Sequence, residues 1–241
     1  MKNNQSTSKG AVYGIGMGPG DPELITVKAL KILENTPHIF TASCFENEYS
    51  RALDILKPYL KDKPIIQLKF LMKRDKAVQD EIWKENALCI LSETEKGDDA
   101  AFITMGNPLT YSTWGYILKN IKKIAPETRT FTIPGITSYN GVSAALNIIL
   151  AESDESFYLI SGLDRDKIGN ALKIADTIAI LKVHKHFDAI YEILERHGLL
   201  DSSILAVQYA MEGEIIHNSL RHCKGMKLPY FSLIIVKKSG F

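Results

Sequence analysis

Through the first half of the chain, short apolar runs of strand length alternate with segments whose apolar residues recur every three or four positions. "AVYGI" predicts a strand. In "PELITVKALKILENT" the apolar residues Leu24, Val27, Leu30 and Leu33 fall at helical spacing, with Asp21 placed as N-cap and Pro22 as first helical residue. "HIFTA" and "PIIQL" predict two more strands, separated by a helix from about Tyr49, and "DKAVQDEIWKENALCILSETEKG" predicts a long helix ending near Gly97. After a buried strand at "AAFITM" come a helix at "YSTWGYILKNIKKI", a strand at "RTFTI" and a helix from about Thr137. Strands alternating with helices imply a mostly parallel sheet covered on both faces.

The second half has a different rhythm. "SFYLISG" and "TIAILKV" predict strands, "FDAIYEILERHG" an amphipathic helix, and "SILAVQYAM", "EIIHNSL" and "PYFSLIIVKK" three strands in close succession. The fold class expected is therefore α/β in two domains: residues 1–136, mostly parallel, with 1–10 as a flexible tail, and residues 137–241, built on a mixed sheet.

Three connections after strands are rich in small residues. The first, "GIGMGPGD", has glycine at 14, 16, 18 and 20. It does not satisfy the dinucleotide pattern G-x-G-x-x-G, because the sixth position is Pro19 from Gly14 and Asp21 from Gly16. A carboxylate at the helix start would also repel phosphate. "MGNPLTYST" (105–113) and "IPGITSYNG" (133–141) repeat the construction: apolar strand, loop with Gly and Pro, helix opened by Ser or Thr. In an open parallel sheet such loops gather at the carboxyl edge, where ligands bind. Glycine lets backbone donors and acceptors approach a ligand, and proline fixes the shape of the loop.

Composition narrows the ligand. With 45% hydrophobic residues, 24% charged and a net charge of +1, the chain has material for a packed core and neither the basic excess of a nucleic-acid binder nor a basic membrane face. No leader peptide or spanning segment is evident, so a cytoplasmic location is expected. Cys44, Cys89 and Cys223 are far apart and in no Cys-x-x-Cys arrangement, and are expected to be reduced and buried.

Together "VYGIGMGPGDPELITVKA", "GNPLTYST", "IPGITSYNG" and "LPYFSLIIVKK" resemble the tetrapyrrole methylase family, whose members transfer methyl groups from S-adenosylmethionine to the macrocycles that become sirohaem and cobalamin. The resemblance runs from Val12 to Lys238, and "YST", "AESDE" (151–155), "ILKVHK" (180–185) and "PYFSLIIV" favour the branch that methylates C(20) of precorrin-2 or cobalt-factor II. It implies a homodimer of two-domain subunits with the active site in the cleft between the domains. It also implies cofactor contacts from Gly18 and Pro19 in the first loop, from Gly106, Asn107 and Thr110 in the second, and from Thr137 and Ser138 in the third. Lys182, Val183, Ala210 and Met211 are implied to complete the adenine site. The family's second loop usually reads Gly-Asp-Pro; Asn107 keeps an acceptor oxygen but loses the charge.

Methyl transfer from a sulfonium needs alignment and exclusion of water more than it needs a nucleophilic side chain, which suits loops of Gly, Pro and Thr. A general base for the displaced proton has candidates by neighbourhood alone in Tyr111, Glu152, Asp154 and His184. His184 and His186 share a face if the strand continues through them, but no third ligand accompanies them and no metal is expected. Trp83, Trp114, Tyr116 and Phe187 are read as core filling, and Asp98 and Asp99 as solvated turn residues. The competing readings are a methylase of another ring carbon, a methylase of a modified protein histidine, and a tetrapyrrole-binding protein without catalysis.

Overall fold

The computed structural model describes residues 9–44, 50–60, 63–70 and 75–241. Of the expected tail at 1–10, residues 1–8 lie outside the described residues, as does Tyr49, whereas Gly10 is buried and donates its N–H to the Thr94 carbonyl at 2.9 Å, so the tail expectation does not hold there. Contacts divide the chain into two compact units, 1–137 and 138–241.

The first unit is a parallel sheet of β1 (Val12–Gly16), β2 (His38–Cys44), β3 (Ile65–Phe70), β4 (Ala100–Thr104) and β5 (Thr130–Ile133), in the order β3-β2-β4-β1-β5. Successive residues of a strand face opposite sides, so β4 sends Ala100 and Phe102 into one layer and Ala101 and Ile103 into the other. The first layer is closed by α3 (Lys76–Glu95) and α4 (Trp114–Ile124) through Ile90, Leu91, Ile117 and Ile121. The second is closed by α1 (Val27–Asn35) and α2 (Arg51–Leu56) through Ala29, Leu33, Ile55 and Leu56. Both faces are thus covered, as a sheet of near-continuous apolar strands requires.

Helix α1 does not begin where the Asp-Pro pair suggested. Asp21 caps only a 3-10 turn, Pro22–Leu24, accepting from the Glu23 N–H at 2.8 Å. The chain is extended at Ile25 and Thr26, and the Thr26 hydroxyl then caps α1 through the Ala29 N–H at 3.1 Å. The buried stripe is consequently Ile25, Ala29 and Leu33, while Val27 is exposed. Helix α4 likewise starts three residues later than "YST" predicts, because Tyr111 has φ 51°, a left-handed value no helix interior accommodates.

The second unit is a mixed sheet of β6 (Phe157–Ser161), β7 (Thr177–Leu181), β8 (Ser203–Val207), β9 (Ile215–His217) and β10 (Ser232–Lys237), in the order β6-β7-β10-β8-β9. Only β6 and β7 are parallel. Their crossover is α6 (Arg165–Ile174), a helix absent from the predicted elements although Asp164 caps it and Ile168, Ala171 and Leu172 supply its apolar stripe. With α7 (Phe187–Arg196) it covers one face of the sheet; α5 (Ser138–Leu146) packs on the other through Val142 against Ala206, Leu233 and Ile235. At the far end of β10 the Lys237 ammonium, almost fully buried, bonds the Ile149 carbonyl at 2.9 Å and the Glu155 carboxylate at 3.0 Å.

Strand β7 ends at Leu181 and the chain enters a 3-10 turn, Val183–Lys185, ahead of α7, so His184 and His186 lie at a strand-to-helix junction and not on one strand face. Two further expectations are corrected. Cys89 is exposed on α3, whereas Cys223 is buried. Asp99 is not a solvated turn residue: one carboxylate oxygen accepts from the Ala11 N–H at 2.7 Å and pins the start of β1. Trp114 and Phe187 are core residues as read, while Trp83 and Tyr116 stack on each other at 3.9 Å with Tyr116 exposed.

Candidate functional site

In the first sheet β1 lies between β4 and β5, all parallel, so the three glycine-bearing loops leave the same edge side by side. They also touch. The Met17 N–H donates to the Thr104 carbonyl at 2.9 Å and the Gly106 N–H to the Gly18 carbonyl at 2.8 Å, zipping the first loop to the second beyond the ends of the strands. A Cβ on Gly16 would stand 2.5 Å from the Gly106 carbonyl oxygen and 2.6 Å from the Gly135 nitrogen. One on Gly135 would stand 2.3 Å from the same oxygen. Three backbones therefore converge at a distance only glycine allows.

The glycines of the first loop serve different ends. Gly14 faces the core: an added Cβ would lie 2.0 Å from the indole of Trp114, whose ring is fully buried. Gly16 is the meeting point. Gly18, at φ 84°, makes the left-handed turn that starts the loop, and Pro19 is buried after it.

The second loop is held by its own side chains. Asn107 Oδ1 accepts from the Leu109 N–H at 2.9 Å and the Asn107 carbonyl from the Thr110 N–H at 3.2 Å, an Asx turn inside a β-turn. The acceptor oxygen that Asn shares with Asp is what this turn uses. Next, Tyr111 stands in the left-handed region, which costs a non-glycine residue on the order of 1–2 kcal/mol. The Ser112 hydroxyl meets the Thr104 hydroxyl at 3.0 Å and accepts from the Trp114 N–H at 3.2 Å, and Trp114 Nε1 donates to the Thr132 hydroxyl at 3.0 Å. These bonds tie the loop to the ends of β4 and β5. In the third loop Thr137 is buried and its hydroxyl oxygen has no hydrogen-bond partner. An orphaned buried hydroxyl beside a glycine-lined edge is a group a ligand can satisfy. Ser138 follows as the first residue of α5.

The second unit has a comparable edge. Strands β7 and β8 both run antiparallel to β10, with Leu181 and Ala206 opposite Leu233, so the segments after them emerge together. Both begin in the left-handed region, at Lys182 (φ 59°) and at Gln208 (φ 49°) with Ala210 (φ 58°). Burial holds the Lys182 ammonium below its usual range. His184 is lowered too, first by burial and then by Lys185, His186 and Lys182, and its buried Nδ1 has no partner. Val183 is buried in the core, and the Ala210 N–H is taken by the Glu214 carboxylate at 2.6 Å, with Met211 closing the same turn through a bond from its N–H to the Gln208 carbonyl.

Of the base candidates, Tyr111 is on the second loop of the first unit. Within the second unit Glu152 and Asp154 precede β6, at the sheet edge opposite His184. No cluster of three or more His, Cys, Asp or Glu suited to a metal exists among the described residues, and no helix among them is long and apolar enough to cross a membrane. The residues missed by sequence reasoning are those beneath the loops: Thr104, Ser112 and Thr132 as hydroxyl pins, and Gly16 and Gly135 as contact points. The Gly and Ser were visible in the quoted motifs, but only the fold pairs them.

Residues 11–222 match the family described as Tetrapyrrole (Corrin/Porphyrin) Methylases. The chain is 32% identical to the cobalt-precorrin-2 C(20)-methyltransferase of Salmonella typhimurium, over 95% of this chain and 97% of that protein. It is 38% identical to a Methanocaldococcus jannaschii protein named probable cobalt-precorrin-2 C(20)-methyltransferase, over 94% and 96% of the two chains. In fold it resembles a Thermus thermophilus uroporphyrin-III C-methyltransferase complexed with S-adenosyl homocysteine, with TM-score 0.65, 17% identity and coverage of 95% and 99%.

Proposed function

Because the chain belongs to the tetrapyrrole methylase family, we propose that it methylates C(20) of cobalt-precorrin-2 with S-adenosylmethionine as donor, in cobalamin biosynthesis. The observation that carries this is the meeting of the three loops at Gly16, Gly106 and Gly135, with the unpartnered Thr137 hydroxyl beside them. The cobalt form is favoured over metal-free precorrin-2 because the Salmonella and Methanocaldococcus relatives, at 32% and 38% identity, are named for it.

The site fits such a donor. On this reading Gly18, Pro19, Gly106, Asn107, Thr110, Thr137 and Ser138 hold it, mainly through backbone groups and side-chain hydroxyls, and the family resemblance assigns the adenine contacts to Lys182, Val183, Ala210 and Met211. The donor supplies an activated methyl group on a sulfonium. What the protein supplies is position: loops that cross-bond to one another and are pinned to strand ends do not have to be ordered when the ligand arrives, and that pre-organisation is the main catalytic contribution a displacement of this kind asks for. Any cobalt belongs to the substrate. The non-catalytic reading drew its support from Asn107; the Asx turn uses the oxygen common to Asn and Asp, which supports a loop that works through its backbone and does not require the carboxylate charge. We propose a homodimer, following the family resemblance, and a cytoplasmic location; light scattering of the purified protein tests the dimer and cell fractionation the location.

The test of function is incubation with 13C-methyl-labelled S-adenosylmethionine and cobalt-precorrin-2. A product carrying one added methyl, placed at C(20) by NMR, is the expected result. Labelling of another ring carbon favours a different branch of the family, and binding without methyl gain favours sequestration.

A further inference from the structure

Resting on the reading above, we infer that Tyr111 is the residue of the second loop that positions the macrocycle, with Ser112 as the residue that holds it in place. Tyr111 is half-exposed and Leu109 largely exposed, whereas Pro108, inside the Asx turn that Leu109 closes, is buried. Its backbone is left-handed at φ 51°. Gly or Asn would make such a turn without the steric penalty, so an aromatic residue at this position offers its side chain for a use that the turn itself does not require. The turn is also not free to relax. The next residue, Ser112, is fixed on one side to the Thr104 hydroxyl at 3.0 Å and on the other by the Trp114 N–H at 3.2 Å, and the fully buried Trp114 is in turn anchored to Thr132.

The loop therefore projects an aromatic ring and a leucine side chain from the sheet edge that carries the three-loop contact. A planar conjugated ring system offers such a pair a broad apolar face, and aromatic rings stack on it favourably. The ring, not the phenol, is what this contact uses. The C(20) branch is where the resemblance placed "YST", and the structure gives the second and third letters of that motif a mechanical role, in which Ser112 pins the turn and Thr113 leads into α4.

The test measures binding of cobalt-precorrin-2 through its visible absorption, binding of S-adenosylhomocysteine by calorimetry, and thermal stability. Tyr111→Gly is expected to weaken the macrocycle about tenfold or more while S-adenosylhomocysteine stays within about threefold and the melting temperature does not fall. Tyr111→Phe, which keeps the ring, is expected to retain the macrocycle affinity that Tyr111→Gly loses. Ser112→Ala should weaken the macrocycle by about three- to fivefold, with Ser112→Thr restoring it. Macrocycle affinity unchanged in Tyr111→Gly overturns the inference, as does an equal loss for both ligands, which marks a purely structural residue. Turnover lost in Tyr111→Phe with binding intact also overturns it, pointing to proton transfer. Wild-type protein that binds cobalt-precorrin-2 but forms no methylated product contradicts the proposed function and leaves the Tyr111 contact decided by the affinities; wild-type protein that does not bind it contradicts both.

Discussion

Replacing Gly16 by Ala puts one methyl group where three loops meet. Its Cβ would lie 2.5 Å from the Gly106 carbonyl oxygen, 2.6 Å from the Gly135 nitrogen and 2.8 Å from the Gly135 Cα. All three are backbone atoms, so no side-chain rotation relieves the clash, and the second and third loops must each withdraw by about 1 Å to reach ordinary contact. Over-packing of this kind costs about 2–3 kcal/mol, which lowers the melting temperature of a chain this size by roughly 5–10 °C. The larger effect falls on the ligand. A cradle of pre-set backbone groups loses its geometry when two walls move by that distance, and S-adenosylhomocysteine should bind about a hundredfold more weakly. Ile90→Ala is the control. It deletes fully buried methylenes under α3 at a cost of about 2–5 kcal/mol, away from the loops, and should leave affinity unchanged at temperatures where the variant is folded. Calorimetry and thermal melts on the two variants decide the matter. Gly16→Ala binding S-adenosylhomocysteine like the wild type, or Ile90→Ala losing affinity in parallel with its stability, would refute the reasoning.

Thr137→Val removes the orphaned hydroxyl with little change of shape; S-adenosylhomocysteine affinity should fall by about five- to tenfold while the melting temperature holds or rises, and an unchanged affinity in calorimetry places the ligand elsewhere. Asn107→Asp retains the acceptor for the Leu109 N–H and should match the wild type in melting temperature, whereas Asn107→Leu opens the Asx turn and should lower both stability and cofactor affinity. The Lys237 ammonium, bonded to Glu155, holds that carboxyl below its ordinary value, with the Glu152 backbone assisting. A lowered carboxyl pKa adds stability that is present above the unfolded value of about 4.3 and is lost as pH falls through the folded one. Melting curves from pH 7 to about pH 3 should accordingly show a smaller acid-induced drop for Glu155→Gln than for the wild type.

The order of elements in the first unit was legible because the central strands β1 and β4 are short and apolar on both faces and helices α1 and α4 carry a clear periodic stripe. So was the gathering of the three loops at one edge, since a parallel sheet leaves them no other. What sequence could not supply is contact across the chain. Thr26 competes with Asp21 for the start of α1 and wins because its hydroxyl reaches the Ala29 N–H once Ile25 is buried. Helix α6 was hidden by charge: Arg165, Asp166 and Lys167 crowd its first turn, and its stripe of Ile168, Ala171 and Leu172 is short. Asp99 reads as a turn residue until the Ala11 N–H is seen above it. The glycines were recognised as purposeful, but two of them serve packing between neighbours, Gly14 under Trp114 and Gly16 against Gly106 and Gly135, and neither partner is close in sequence.

The central claim is that these converging loops form the seat of the methyl donor. A crystal structure of the protein with S-adenosylhomocysteine tests it most directly. Ligand density is expected against the backbone of Gly16–Pro19, Gly106–Thr110 and Gly135–Thr137, with the Thr137 hydroxyl hydrogen-bonded to the ligand. Density for a fully occupied ligand elsewhere, with Thr137 still unpartnered, would contradict it.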